Sequence, residues 1–488
     1  MPNTCVVRTL LVLSALLSFA SGTLAQTPEY AISHVTVINP GTSKSQPDAT
    51  IVIRGQTIVS VTSSGVRLPA SIKVINGQGK FVIPGLWDMH MHLRDANRDL
   101  QMDLANGVLG VRDMGDVVKE VFPLRDAIAS GRQLGPQMIA CGAIIDGPDS
   151  WSNPKFTISV KNAEEARAAV VSLARRHTDC IKVYDLLSRD SYDAIMDEAK
   201  NLGIAVVGHL PSAISVREAS NAGQRTLEHG MALAGGSSNE EEYIKQRMDQ
   251  STFKEALQSK NFSLIPAKIA RDDTAMLDHF SQDRADETYK LLAKNKTFLT
   301  PTLVTQRALT FVDDLDKQDD PRKQYVSAEE LKWWKPENGM LTKYRTPEYI
   351  AMRKGEYAKM LEEIPRAQAL GVRLLAGTDI TIPYTYPGFS LHDELELFVK
   401  AGLTPMQALE TATTNPALLL GLSKSSGQIR SGYMANLVLL NADPLADIAN
   451  TKNIYAVVVN GKLLDRSQLD QMLRDARVSP ANGNPRSR

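Results

Sequence analysis

Apolar and polar residues alternate with a period of two in four short runs near the amino terminus, residues 31–38, 50–54, 57–62 and 72–75, which Gly, Pro and Ser separate. A period of two places one face of each run in a core, so this segment predicts an antiparallel β module, with a turn at Arg54-Gly55-Gln56. From about Gly85 the period changes. Short apolar runs at 107–112, 137–145, 179–184, 204–209, 225–229, 298–304 and 372–379, with one more ending near His92, alternate with amphipathic stretches of helical period such as 163–177 and 191–202. Eight strands alternating with helices predict an α/β chain, a (β/α)8 TIM barrel, with an open doubly wound sheet as the alternative. Strand alternation returns at 437–440 and 454–459, bringing the chain back to its opening β module.

Two stretches stand apart from the repeat. Residues 231–296 hold a charged helical run at 240–260, an extra strand at 262–265 and a helix at 284–294, and read as an elaborate connection over the barrel mouth. The polar segment 313–347, with Trp333-Trp334, reads equally as a lid or as a solvated helical hairpin. The expected division is a signal peptide at 1–25, β-module parts at 26–84 and 425–466 flanking a barrel at 85–424, and a helix and tail at 467–488.

Residues 1–25 contain a single charge, Arg8, and an apolar run at 10–20 followed by Thr23-Leu24-Ala25, the pattern of a cleavable secretory leader. That run falls short of the ~20 residues a bilayer span needs, so no stable membrane anchor is expected and the mature protein is expected to be secreted or periplasmic. The full chain has 488 residues, 43% hydrophobic and 23% charged, with 55 basic and 55 acidic side chains, which gives no electrostatic case for nucleic acid as a partner. Behind the leader only Cys141 and Cys180 remain, too few for a disulfide scaffold or a thiolate zinc site, though enough for one disulfide. The sequence leaves the oligomeric state open, a homo-oligomer included.

Histidine placement carries the chemistry. In Asp88-Met89-His90-Met91-His92 a strand would send both imidazoles to one side, where they could chelate one ion. His209, His229 and Asp379 each end an apolar run, the position where barrel enzymes gather their functional groups. His34, His177, His279 and His392 are read as structural or solvated, with His392 the one that could touch the mouth. Lys182 sits inside Cys180-Ile181-Lys182-Val183-Tyr184. Burial would lower its pKa toward the neutral amine, which can capture carbon dioxide as a carbamate, an anionic ligand with two oxygens; pairing with Asp185 or Asp379 is the alternative.

These motifs resemble the metal-dependent amidohydrolase superfamily, and within it the imidazolonepropionase-related and Xaa-Pro dipeptidase (prolidase)-like branch. The resemblance rests on Val82-Ile83-Pro84-Gly85-Leu86-Trp87-Asp88-Met89-His90-Met91-His92, Ile181-Lys182-Val183-Tyr184, Gly208-His209-Leu210-Pro211, Glu228-His229-Gly230 and Ala376-Gly377-Thr378-Asp379. Gly402-Leu403-Thr404-Pro405, the run from Ala412 to Ala417 and Gly427-Gln428-Ile429 continue it in the same order, with Asn436 standing where the family usually has Asp. It implies a urease-like β-sandwich built from both chain ends around the barrel. It also implies a binuclear centre, with His90, His92 and Asp379 on the buried ion, His209 and His229 on the exposed one, and carboxylated Lys182 bridging them. The ions would be zinc, or manganese, cobalt or iron, since the donor types suit them all.

The implied reaction is hydrolysis of a C–N amide bond in a dipeptide, Xaa-Pro or N-acyl amino acid substrate by a metal-bridging hydroxide. Asp379 would move the proton, and Tyr184 would contact the oxyanion or a substrate carboxylate unless it is a core residue. Arg112-Asp113 reads as an internal ion pair. A lactonase, esterase or phosphotriesterase-like hydrolase on the same site is the enzymatic alternative, and a non-catalytic binding homologue is a third.

Overall fold

The computed structural model describes residues 30–42, 45–150, 152–339 and 342–478; the leader and the end of the expected tail lie outside them. The amino-terminal strands Tyr30–Val37, Gln46–Arg54, Thr57–Ser63, Lys73–Asn76 and Phe81–Pro84 join Leu437–Leu440, Ile454–Val459 and Lys462–Asp465 in one eight-stranded sheet. The two chain ends meet where Phe81–Pro84 pairs antiparallel with Leu437–Leu440, in the register Val82↔Leu439 and Ile83↔Val438. Alternation explains why these strands are apolar throughout. Val82, Leu437 and Leu439 pack on Ile32, Ile51 and Ile53, whereas Ile83, Val438 and Leu440 face the main core. The expected sandwich is thus hydrogen-bonded as a single sheet, whose far strand returns to the carboxy-terminal segment through the bridge Thr57↔Met434.

The strands of the main unit are parallel and form groups. Leu86–Met91, Val108–Asp113 and Gln137–Ala140 make one; Ile144–Asp146, Cys180–Val183 and Ala205–Gly208 belong to a second with Thr157–Ser159; Thr226–Glu228 pairs with Phe298–Thr300 in a third. Most are buried along their whole length, because helices cover one side and neighbouring strands fill the other.

Several expected boundaries move. The run 137–145 splits at Gly142, whose φ of 70° leaves the extended region. The run 298–304 keeps only Phe298–Thr300 as strand, and a helix, Leu303–Thr310, follows. Residues 372–379 form no named strand, yet they carry the parallel bridge Leu299↔Leu374 and backbone bonds on both sides: Leu299 N to Arg373 O at 3.1 Å and Leu375 N to Leu299 O at 2.8 Å on one, Met89 N to Ala376 O at 2.9 Å and Thr378 N to His90 O at 3.0 Å on the other. The segment therefore lies between Phe298–Thr300 and Leu86–Met91. Gly377 sets it there: a Cβ would come within 2.7 Å of Thr300 Cγ2 and 2.8 Å of His90 Cβ.

The run 240–260 is two helices, Glu240–Met248 and Ser251–Ser259, and the strand expected at 262–265 is instead the start of the helix Leu264–Asp278. Pro266 is tolerated in that first turn, where its missing N–H has no intrahelical partner to lose. The segment 313–347 carries short helices, Val312–Asp316, Pro321–Tyr325 and Ala328–Trp334. Trp334 packs on Tyr384 and Tyr386, so this segment covers the loop that follows Asp379.

His392 does not reach the mouth. It is buried in the helix Phe389–Ala401, with Nδ1 on Thr451 Oγ1 and Nε2 on Asn106 O, both at 2.9 Å. Cys141 and Cys180 form a disulfide between neighbouring strand ends. Among the described residues, no helix is long and apolar enough to cross a membrane.

Beside His392, Asp393 ties three segments together: it accepts from Arg322 Nη1 at 2.7 Å and Lys452 Nζ at 2.9 Å, with Arg307 Nη2 at 3.5 Å. Burial alone would raise this carboxyl, but Arg322 and Lys452 prevail and hold it at about 2. An unfolded Asp titrates near ~3.9, so this contribution is full above that value and is lost as pH falls toward 2. Asp393→Asn should cost about 2 kcal/mol at pH 7, because Arg322 and Lys452 keep Asp320 and Glu396 as second partners. Thermal unfolding checks it: the deficit should narrow as pH is lowered from ~5 toward 3, and a constant deficit would assign the loss to packing.

Candidate metal centre

Six residues singled out by the sequence meet at the carboxy-terminal ends of the parallel strands. His90 lies in Leu86–Met91 with His92 just beyond it, Lys182 in Cys180–Val183, His209 directly after Ala205–Gly208, His229 after Thr226–Glu228, and Asp379 after the 372–378 segment. The backbone turns sharply where donors are presented: φ is 58° at His229 and 50° at Asp379. Such non-glycine conformations cost free energy and persist where surrounding packing enforces them. Gly208 has φ of 122°, and a Cβ there would lie 2.4 Å from Val183 O and 2.7 Å from Lys182 Cδ. Glycine therefore lets the strand bearing His209 approach Lys182.

Each imidazole is held by its Nδ1. His90 bonds Glu228 Oε2 at 2.9 Å, His92 bonds Gly115 O at 2.9 Å, His209 bonds Asp185 Oδ1 at 2.9 Å, and His229 bonds Thr302 Oγ1 at 2.7 Å. This leaves the four Nε2 atoms turned to the centre. Those of His90 and His92 both lie 3.5 Å from Asp379 Oδ1, and His90, His92 and Asp379 form a group able to hold one ion. Those of His209 and His229 lie 3.0 Å from each other.

With its Nδ1–H donated to Asp185, His209 turns a lone pair toward His229. A proton could fill that gap, but burial, then Lys182, pushes His209 well below the ordinary imidazole value, and burial, then His209, does the same to His229. A cation fits two such neutral donors, and the orienting acceptors behind them are the usual second layer of a metal site.

Lys182 is 1% exposed, and its Nζ has no hydrogen-bond partner. Neither Asp185 nor Asp379 forms the ion pair that was the alternative reading. Burial lowers the ammonium to about 8 against the opposing pull of Glu228 and Asp379. Burial raises Asp379 to about 7, with Lys182 opposing. Tyr184 stacks on His209 with ring centroids 4.1 Å apart, and its own ring lies 6.0 Å from Lys182 Nζ. The ion pair expected at Arg112-Asp113 forms elsewhere: Arg112 Nη2 donates to Glu228 Oε1 at 3.1 Å, because both point across the interior.

Sequence reasoning missed the orienting residues Asp185 and Thr302, and quoted Glu228 only as a neighbour of His229. Asp88 was also missed; it accepts from the backbone N–H and the hydroxyl of Thr378, next to Asp379. The one signal available was adjacency to a ligand candidate, which distinguishes Glu228 and Asp185 weakly and Thr302 not at all.

Residues 81–464 match the model of the amidohydrolase family. The chain belongs to this family. Ochratoxinase of Aspergillus niger is 35% identical over 112 residues, 22% of this chain and 22% of that protein. Imidazolonepropionase of Vibrio vulnificus (strain CMCP6) is 32% identical over 110 residues, 21% of this chain and 26% of that protein. This amidohydrolase-family chain thus spans only a minor part of the length of the curated relatives it matches. Among solved structures, a bottromycin amidohydrolase superposes with a TM-score of 0.73 at 21% identity, covering 93% of this chain and 92% of that one. A Xaa-Pro dipeptidase with bound methionine in its active site gives 0.64 at 20% identity, covering 89% and 99%. At such identities the likeness is one of fold.

If Asp185 orients His209 for a cation, Asp185→Ala should weaken divalent-ion binding by roughly 10–100-fold without unfolding the chain. Competition with a chromophoric chelator measures it, and unchanged affinity would remove Asp185 from the centre.

Proposed function

We propose that the chain is a metal-dependent hydrolase of C–N amide bonds, acting on dipeptide, Xaa-Pro or N-acyl amino acid substrates, on a closed (β/α)8 barrel flanked by a β-sandwich. The observation that carries this reading is the Lys182 amine, 1% exposed and without a hydrogen-bond partner, close enough to His90, His209, His229 and Asp379 to interact with each. His90, His92 and Asp379 would hold one divalent ion and His209 and His229 a second, zinc being the first candidate. Such ions supply Lewis acidity to a carbonyl oxygen and make a water more acidic.

A neutral Lys182 amine would attack carbon dioxide, forming an N–C bond as one C–O π bond opens and a proton is released, to give a carbamate whose single negative charge is shared by two oxygens. Asp379, raised by burial to about 7, can both hold and release a proton near neutrality. It takes the proton of the attacking water and gives it to the nitrogen, which leaves poorly unless protonated. Burial pushes the Tyr184 phenol upward, so it stays protonated and can donate to the developing oxyanion. The names of the similar proteins, an amidohydrolase and a Xaa-Pro dipeptidase, support amide substrates. The apolar leader and the Cys141–Cys180 disulfide both suit a secreted or periplasmic, oxidising location.

A panel of Xaa-Pro and other dipeptides, N-acyl amino acids, lactones and phosphotriesters, tested with the zinc- or manganese-loaded protein, decides the reaction. Amide hydrolysis should dominate and vanish on chelation, while strong lactone turnover without amide cleavage would overturn the reading. Lys182→Ala should lower kcat/KM by at least ~100-fold with partial rescue by acetate or propionate, and full activity in that variant would exclude a carbamate role.

A further inference from the structure

The strands that bear the centre belong to separate hydrogen-bonded groups. Leu86–Met91, which carries His90, is grouped with Val108–Asp113 and Gln137–Ala140. Cys180–Val183, which carries Lys182, is grouped with Ile144–Asp146 and Ala205–Gly208, after which His209 follows. Among the described residues no strand ladder joins these two groups. The chain passes from one to the other through Cys141-Gly142-Ala143, where Gly142 leaves the extended region with φ of 70°. Across the seam, Asp179 N donates to Ala140 O at 3.1 Å, Ala140 N to Asp179 Oδ2 at 2.9 Å and Thr178 Oγ1 to Cys141 O at 2.8 Å. The disulfide between Cys141 and Cys180 closes the same seam covalently.

Cys180 is also the first residue of the strand that bears Lys182. Residues two apart in a strand face the same side at a spacing of ~6.5 Å, so the disulfide lies on the inward face next below Lys182. The packing agrees. Ile181 and Val183 belong to the main core, whereas Cys141, Cys180 and Met114 cluster with Val207, the register partner of Lys182. Cys141 is fully buried and Cys180 is 3% exposed. Above them, Lys182 Nζ has no hydrogen-bond partner. No hydrogen bond therefore fixes the amine, and its place beside the histidines follows from where its strand is held.

We propose that the Cys141–Cys180 disulfide is a positioning element for Lys182. By tying the strand of Lys182 to the group that bears His90, it holds the amine where a carbamate would reach both ions, so that the centre takes up its second metal tightly only in the oxidised chain. The proposal rests on the binuclear metal-hydrolase reading and adds a regulation of that site. Forming the bond removes one hydrogen from each thiol; the two electrons and two protons pass to a disulfide oxidant, which becomes a pair of thiols. Because both sulfurs are enclosed, this exchange precedes closure of the interior, and the folded chain does not present the bond to a reductant. The device is set during folding by the redox state of the compartment.

The test compares oxidised wild type with wild type that has been unfolded, reduced with a water-soluble phosphine, refolded without oxidant and freed of the phosphine. In the reduction the phosphine takes an oxygen from water and becomes its oxide while the disulfide gains two hydrogens, and alkylation counts the resulting thiols. The two chains differ by two hydrogen atoms, so the volume of the interior is kept. Zinc competition with a chromophoric chelator and carbon NMR under isotope-labelled bicarbonate read the centre without turnover. The oxidised chain should bind two zinc ions and show a carbamate resonance that Lys182→Ala lacks. The reduced chain should bind its first zinc as before, bind the second at least ~10-fold more weakly and lose most of the resonance, and reoxidation should restore both. The double variant Cys141→Ala, Cys180→Ala should behave as the reduced chain does, and it carries the comparison if the reduced chain does not regain its native circular dichroism. A lower unfolding midpoint with unchanged second-zinc affinity and resonance would mark the bond as stabilising only and overturn the proposal. Equal weakening of both zinc ions, or failure of both chains to fold, would overturn it as well. An oxidised wild type with neither a second zinc nor a carbamate would refute the binuclear reading on which the proposal stands.

Discussion

The site depends on one buried charge. Arg112, 1% exposed, donates from Nε to Met89 O at 2.6 Å, from Nη1 to Thr226 Oγ1 at 3.3 Å, and from Nη2 to Glu228 Oε1 at 3.1 Å and Thr300 Oγ1 at 3.5 Å. It thereby joins Val108–Asp113 to the strands Leu86–Met91, Thr226–Glu228 and Phe298–Thr300. A guanidinium without these acceptors would be too costly to bury, so the strands must come together around it. Its partner Glu228 then passes the constraint to His90 Nδ1. The same pair that offsets the cost of an internal arginine fixes the tautomer and direction of a metal-competent imidazole.

Around this centre, conformations that are locally unfavourable are held by packing. Asp379 and His229 adopt left-handed backbone angles, and Gly208 and Gly377 occupy places where a Cβ would strike Lys182 or His90. The donors converge because neighbouring segments approach more closely than ordinary side chains allow. Behind them, acceptors on other elements fix each Nδ1. Lys182 Nζ, buried beside these oriented imidazoles, has no hydrogen-bond partner.

Function is layered on this frame. The strand ends supply the centre, and the segment 313–347 covers the loop beyond Asp379 through Trp334. Asp393 and the Cys141–Cys180 disulfide tie this segment and the strand ends to the rest of the chain.

The sequence alone determined the elements whose identity depends on local pattern. Apolar runs placed Cys180–Val183 and Ala205–Gly208, period-two alternation placed the strands from both chain ends, and donor types at run ends named the six central residues. It went wrong where a run's conformation is decided by distant partners. Residues 372–379 lie between two strands and bond to both but complete no regular ladder, 262–265 look extended but lead into a helix, and His392 looks accessible but is enclosed by Asn106 and Thr451. Only the tertiary structure decided that Arg112 pairs with Glu228 and that Asp185 and Thr302 orient imidazoles. These relations join residues far apart in the chain, and no local period or spacing encodes them. A side chain's donor type is written in the sequence; the acceptor it meets is set by how strands and loops close around it.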